Sequence, residues 1–301
     1  MSFLESHKYH LYLLLAGFSF SGLTIFTAIL TRAGVDPFSQ VFWRIVIGST
    51  LCLILATLVF RRGIKASKKE ILLLVVNAAV FVFGYTTFTG AIYAGAPLAK
   101  AIALNFSYPI PVIILSYFLL GEKPSIKSVF AILISTVSVL LVLEIWKIKD
   151  FTKIGLGEFL AWVNSFAYAG IIVWGTKIRK STKLHPYVVL FYTLAFSLPI
   201  LVTVVYLLNQ VGINFYTLGF DITKIQATHW LLLLLLALSS SVIPIALIYT
   251  AAARINPHVS SILLLTEITW VYLFGFLIFG QTLTPWGALG SLGIMLSVLL
   301  V

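Results

Sequence analysis

The sequence predicts an all-α polytopic membrane protein, with ten transmembrane helices in two inverted five-helix repeats and both termini cytoplasmic. Three observations predict it. Of 301 residues, 60% are hydrophobic and only 10% charged, against about 25% charged in soluble chains. Apolar stretches of about 20 residues, long enough to cross about 30 Å of hydrocarbon as a helix, recur from end to end between short polar or basic loops. The text also repeats: Asp36-Pro37-Phe38-Ser39-Gln40-Val41-Phe42-Trp43-Arg44 returns as His185-Pro186-Tyr187-Val188-Val189-Leu190-Phe191-Tyr192-Thr193. The run from Phe118 through Gly121-Glu122-Lys123-Pro124-Ser125 to Val142 returns from Leu277 through Gly280-Gln281-Thr282-Leu283-Thr284 to Val301. Two related membrane halves suit a chain that alternates access to one central site.

The first repeat, residues 1–146, holds five spans. Leu11 to Thr31 is too long for a signal-peptide core and has no small-residue cleavage site, so it reads as a lasting anchor. Pro37 to Phe60 opens with proline, whose missing N–H costs a first helical turn nothing, behind Asp36 as a cap. It contains the lone Cys52, and one cysteine supports no intrachain disulfide. Ile71 to Ala94 carries Asn77 and Gly84-Tyr85-Thr86-Thr87 in its interior. Pro97 to Leu120 is interrupted by Asn105, Ser107, Tyr108, Pro109 and Pro111, and Ser125 to Ile145 completes the repeat.

A connecting loop, 147–156, leads to the second repeat, residues 157–301. Its spans are Gly157 to Thr176, Pro186 to Leu208, Thr228 to Ala252, Pro257 to Phe279 and Pro285 to Val301, with Asn256 and Thr284 as plausible caps for the last two. Nothing remains that forms a separate soluble domain. Pro37 aligns with Pro186, Pro97 with Pro257 and Gly121 with Gly280, which argues against chance similarity among leucine-rich helices.

Charge orients the chain. Lys8, Arg61, Arg62, Lys65, Lys68, Lys69, Lys123, Lys127, Lys177, Arg179, Lys180, Lys183 and Arg254 fall on the N-terminal side. Arg32, Lys147, Lys149, Lys153 and Lys224 fall on the other. Cytoplasmic loops carry the excess of Lys and Arg, so both termini are expected in the cytoplasm. The same rule accounts for the net charge of +11 without nucleic acid. Five spans per repeat is an odd number, so equivalent loops face opposite sides. Arg61 to Lys69 carries five basic residues, whereas its longer counterpart from Asn209 to Ala227 carries only Lys224.

Several motifs carry a family likeness. Arg44 stands early in span two, and Pro109 in span four is followed by the glutamate of Gly121-Glu122. Leu265-Thr266-Glu267-Ile268 and Gly280-Gln281 occupy the matching places in the second half. On these residues nearly the whole chain resembles the EamA-type branch of the drug/metabolite transporter superfamily. The resemblance implies ten spans in two halves and export or exchange of small metabolites, often amino acids, through a central cavity lined by both. Ile268 stands where that family often has proline and Gln281 where it often has glutamate, so no subfamily follows. Fold likeness gives no substrate either.

Ionisable groups inside hydrocarbon cost at least about 2.5 kcal/mol each and mark function or a specific partner. Glu267, about 15 Å along span nine at 1.5 Å per residue, reads as a carboxylate for a substrate ammonium or a coupling proton, or as a structural acid. Arg44, with Trp43 beside it to stack on a planar substrate, reads as a substrate or gating group, or as an anchor that snorkels outward. Lys100 reads the same way. Together the three charges suit a zwitterion. Glu158 and Glu122 read as helix-end charges. Asn77, Tyr85, Asn105, Tyr108, Trp162 and Tyr168 are further candidates for a cavity wall, and Trp270, one turn from Glu267, either completes a half-site or packs between helices. Pro109, Pro111 and Pro244 are candidate hinges, as is Pro199, because proline frees a backbone carbonyl about one turn earlier. Trp146, Trp230 and Trp286 are expected in interfacial belts.

Hydrolase, zinc-protease and Walker motifs are missing from the sequence, as are clustered Cys or His. The expectation is therefore a secondary transporter or exchanger of small polar metabolites in the plasma membrane, without cofactor or metal. Its expected partners are a small-molecule metabolite, membrane lipid and a coupling proton, with the chain a monomer or homodimer. An exchanger of phosphorylated or nucleotide-linked compounds is the alternative within transport. A scaffold or receptor without flux is the alternative outside it.

Overall fold

A computed structural model of the protein describes residues 3–61, 63–148, 152–213 and 226–301. Arg62, Lys149 and Lys224, used in the charge comparison, lie outside the described residues, as does most of the loop between spans seven and eight. The described chain is helical: α1 (Phe3–Arg32), α2 (Pro37–Ile54), α3 (Lys68–Tyr93), α4 (Leu98–Asn105), α5 (Pro109–Leu120), α6 (Ile126–Val142), α7 (Leu156–Ser181), α8 (Pro186–Gln210), α9 (Ala227–Ala237), α10 (Ile243–Ala251), α11 (Pro257–Leu264), α12 (Thr266–Phe279) and α13 (Pro285–Leu299). Single π-helical segments, Leu55–Val59 and Leu238–Val242, extend α2 and join α9 to α10.

Among the described residues, eight helical stretches are long and apolar enough to cross a membrane. Two further apolar helices, α6 and α13, hold 17 and 15 residues, about 26 and 22 Å at 1.5 Å per residue. The ten spans expected from the sequence correspond to these eight stretches and two short helices, α13 running close to the expected Pro285 to Val301 and α6 ending at Val142, before the expected Ile145. Helix α6 stops early because Glu144 adopts a left-handed conformation, φ 45°, where its side chain pairs with Lys147.

Local chemistry sets the helix starts. Asp36 Oδ1 accepts from the Ser39 N–H at 2.9 Å, and Thr284 Oγ1 from the Gly287 N–H at 3.1 Å, both as expected. Asn256 makes no side-chain cap bond, and Pro97 is the residue before α4 rather than its first. Ser67 and Glu70 form a reciprocal capping box on α3. At the other end of the fourth span in each half, Gly121 (φ 69°) and Gly280 (φ 65°) terminate α5 and α12. That left-handed C-cap favours glycine because it lacks Cβ. The sequence echo at these two glycines is therefore an echo of backbone geometry.

The closest helix pairs join the two halves of the chain. Helix α3 lies against α7 and α8, α2 against α8, α6 against α13, and α1 against α10 and α12. Equivalent helices meet head to tail. Phe60, at the end of the α2 span, stacks on Tyr187 at the start of α8, with centroids 5.1 Å apart. Trp146, just past α6, meets Trp286 at the start of α13 at 5.4 Å. Packing between helices in lipid relies on small residues that let backbones approach. A Cβ on Gly290 of α13 would stand 2.5 Å from the Ser138 carbonyl oxygen of α6, so glycine fixes that contact.

Candidate functional site

The fourth span of each half is broken at the same place. Helix α4 ends at Asn105, three turn residues follow, and α5 restarts at Pro109. In the second half α11 ends at Leu264, and α12 restarts at Thr266 after Leu265. Local donors take the carbonyls freed at these breaks. Ser107 Oγ donates to the Leu104 carbonyl at 2.6 Å, the Tyr108 N–H to the Asn105 carbonyl at 3.1 Å, and Thr266 Oγ1 to the Leu263 carbonyl at 2.8 Å. Irregular backbone at membrane depth is tolerated only where protein or a water-filled cavity surrounds it.

The two breaks bring Tyr108 and Glu267 to one place. Tyr168 of α7 donates its hydroxyl to Glu267 Oε2 at 3.3 Å, and its ring lies 4.8 Å from that of Tyr108. Tyr108 in turn donates to the Ser261 carbonyl at 3.1 Å, while Phe20 of α1 contacts the far side of Tyr168 at 6.1 Å. Glu267 is 4% exposed.

Arg44 is the opposite charge. It is 6% exposed, which removes the reading of it as a snorkelling anchor. Its guanidinium lies over the Tyr85 ring of α3, 4.6 Å from the centroid, and Nη1 reaches Ser240 Oγ at 3.5 Å. Ser240 belongs to the π-helical segment between α9 and α10. The extra residue there turns a serine toward Arg44, and Ser19 of α1 binds the Ser239 carbonyl at 3.0 Å. Arg44 Nε has no hydrogen-bond partner among the described residues. Among the described residues, neither Arg44 nor Glu267 takes part in an ion pair.

A third polar layer lies two turns along α3 from Tyr85. Asn77, fully buried, donates from Nδ2 to Thr193 Oγ1 at 2.8 Å and to the Tyr249 hydroxyl at 2.7 Å. Its Oδ1 has no partner among the described residues, and the same holds for Asn105 Oδ1 at the helix break.

Other expected site residues go elsewhere. Lys100 is 3% exposed and pairs with Glu158 at 2.9 Å, with the Lys153 carbonyl as a further acceptor. It therefore neither snorkels nor joins the Arg44 layer. Glu122 pairs with Lys180 rather than capping its own helix. Trp43 packs edge-on against Trp230 at 4.8 Å in a cluster with Leu30, Leu233 and Leu236, which takes both indoles into helix packing. Trp270 meets Phe18 at 5.1 Å, so it contacts α1 while Glu267 contacts α7. Trp162 is 44% exposed and packs on Phe166 at 5.1 Å, about 120° around α7 from Tyr168 at 100° per residue. Pro109 and Pro111 occupy the first turn of α5, and Pro244 the first turn of α10 after the π segment. Pro199 lies inside an unbroken α8.

Thr193, Ser240, Tyr249 and Ser261 were not expected as site residues. The run Ser239-Ser240-Ser241 ahead of Pro244 in an apolar stretch is a signal that could have marked the π segment. Tyr249 and Ser261 have no such signal.

A helical bundle with paired halves, broken fourth spans and two buried opposite charges defines a polytopic membrane protein of the transporter class. The chain belongs to the EamA-like transporter family, whose model matches residues 7–144 and 155–301. One solved crystal structure superposes with a TM-score of 0.76 at 14% identity, over 97% of this chain and 96% of its own length. That likeness concerns the fold. Among curated proteins no sequence matches.

Proposed function

We propose that the protein is a secondary transporter of small zwitterions, with amino acids the leading class, that carries them outward across the plasma membrane by alternating access. The observation that carries this reading is the pair Arg44 and Glu267. They are buried, opposite in charge and contributed by different halves, and among the described residues no ion pair satisfies either one. Leaving a buried charge unpaired is costly, and a ligand with a carboxylate at one end and an ammonium at the other relieves both. The guanidinium fork matches a carboxylate. The aromatic rings of Tyr85, Tyr108, Tyr168 and Phe20 supply apolar wall around this pair.

In the proposed cycle the two halves, inverted relative to one another with both termini cytoplasmic, rock about the broken fourth spans. The head-to-tail meeting of α2 with α8 and of α6 with α13 supports the inversion, and the basic N-terminal-side loops support the orientation. Glu267 binds the substrate ammonium or takes up a coupling proton.

The test is counterflow in proteoliposomes, with labelled amino acids, sugar phosphates and organic cations compared across pH. Glu267→Gln is expected to abolish amino-acid flux or its pH dependence while the protein stays folded. Unchanged flux at every pH would remove the role of Glu267. The exchange of phosphorylated compounds stands second, because it asks for more buried cationic charge than Arg44 alone once Lys100 is taken by Glu158. A membrane scaffold, the reading from outside transport, predicts counterflow of no solute.

A further inference from the structure

Where α7 ends and α3 and α8 begin, a cleft of about 440 Å³ opens on the basic face of the molecule. Lys65, Glu70, Arg179, Lys183, His185 and Pro186 line it. Its charge is unbalanced toward the positive. The single carboxylate is already occupied: Glu70 Oε2 accepts from both the N–H and the hydroxyl of Ser67 at 2.8 Å. Among the described residues, no ion pair includes Lys65, Lys183 or Arg179. Backbone carbonyls hold Arg179 in place, with Nε donating to Tyr249 at 2.9 Å and Nη1 to Leu184. The guanidinium is thereby positioned at the cleft without being neutralised. The start of α8 adds the positive end of a helix dipole to the same wall.

An apolar surface adjoins this cationic cleft. Phe60 lies 4.8 Å from the His185 ring, and Leu58, Val59 and Phe60 are exposed at the end of the α2 span. Cations beside exposed apolar side chains at a span terminus match the two parts of a phospholipid, with the phosphate in the cleft and an acyl chain along Leu58 to Phe60. Free phosphate would use the cations and leave the apolar wall without a role. We propose that this cleft is a binding site for the phosphate headgroup of an anionic phospholipid, bridging residues 63–65 of the first half and the α7–α8 turn of the second.

Native mass spectrometry of the purified full chain tests this by comparing adducts of phosphatidylglycerol, phosphatidylcholine with matched acyl chains, and inorganic phosphate. The native protein is expected to retain phosphatidylglycerol over phosphatidylcholine. Lys65→Gln and Lys183→Gln, both in exposed positions, should lower that preference by about fivefold each. Lys68→Gln with Lys69→Gln, on the same face outside the cleft, should leave it unchanged. Equal retention of the two lipids, or an equal loss in the Lys68/Lys69 control, would overturn the assignment. Removal of the preference by millimolar phosphate would identify a free-anion site and overturn the lipid as occupant. The readout involves no flux, so its failure is separate from failure of the transport reading.

Discussion

Arg44 and Glu267 bring opposite charges into the interior from opposite halves of the chain, and their neighbours set what each can do. Tyr85 stabilises the guanidinium through its ring face, an interaction of about 2 kcal/mol or more when desolvated. Tyr168 supplies a long hydrogen bond of 3.3 Å to Glu267. Replacing Arg44 with Gln is expected to raise KM at least tenfold for a zwitterion but not for the matching amine without a carboxylate, measured by counterflow; an equal effect on both would place Arg44 in the scaffold. Sequence alone made Glu267 and Arg44 visible, because a charge in an apolar run is conspicuous. The ring neighbours of Trp43, Trp162 and Trp270 were not visible for the converse reason. An indole is compatible with a cavity, a helix interface or a lipid-facing surface, and only the neighbouring helix decides. Tyr249 and Ser240 were missed because their partners lie far away in sequence, at Asn77 and Arg44.

At the scale of elements, the broken fourth spans and their clamps position the site. Lys100 with Glu158 and Glu122 with Lys180 tie α4 and α5 to the two ends of α7, while Tyr108 between them meets Tyr168. Lys100→Met alone is expected to destabilise the protein by between the ~1 kcal/mol of an exposed pair and the 3–5 kcal/mol of a buried one. Adding Glu158→Gln should recover part of the loss, as read by thermal melting. Additive losses would mean that the pair is not coupled. Helix α7 also carries Gly175, where a Cβ would collide with the Tyr249 ring. Gly175→Ala should therefore disturb the Asn77 layer and lower transport more than Gly84→Ala, whose Cβ meets ordinary contacts with Ala167 and Asn164. Proline announced the break in the first half. The second half breaks without one, and there Thr266 Oγ1 takes the Leu263 carbonyl at 2.8 Å.

At the scale of the molecule, the doubled text translates into paired helices and matching left-handed glycine ends, so the organisation was largely legible. The end of α6 was not, since apolar composition continues past Val142, where the helix stops, whereas α13 runs close to its expected span. Their contact rests on Gly290, and Gly290→Leu is expected to lower thermal stability by separating α13 from Ser138 and Val142. The charge bias on which the proposed orientation rests was plain in the loops. The charged site was only half legible, since Arg44 and Glu267 take their meaning from each other across the two halves.

The most direct test is counterflow in proteoliposomes with one amino acid, its decarboxylated amine and its deaminated acid. The proposed binding of a zwitterion between Arg44 and Glu267 predicts exchange of the amino acid, with little exchange of either analogue. Equal exchange of all three, or exchange of sugar phosphates alone, would contradict it.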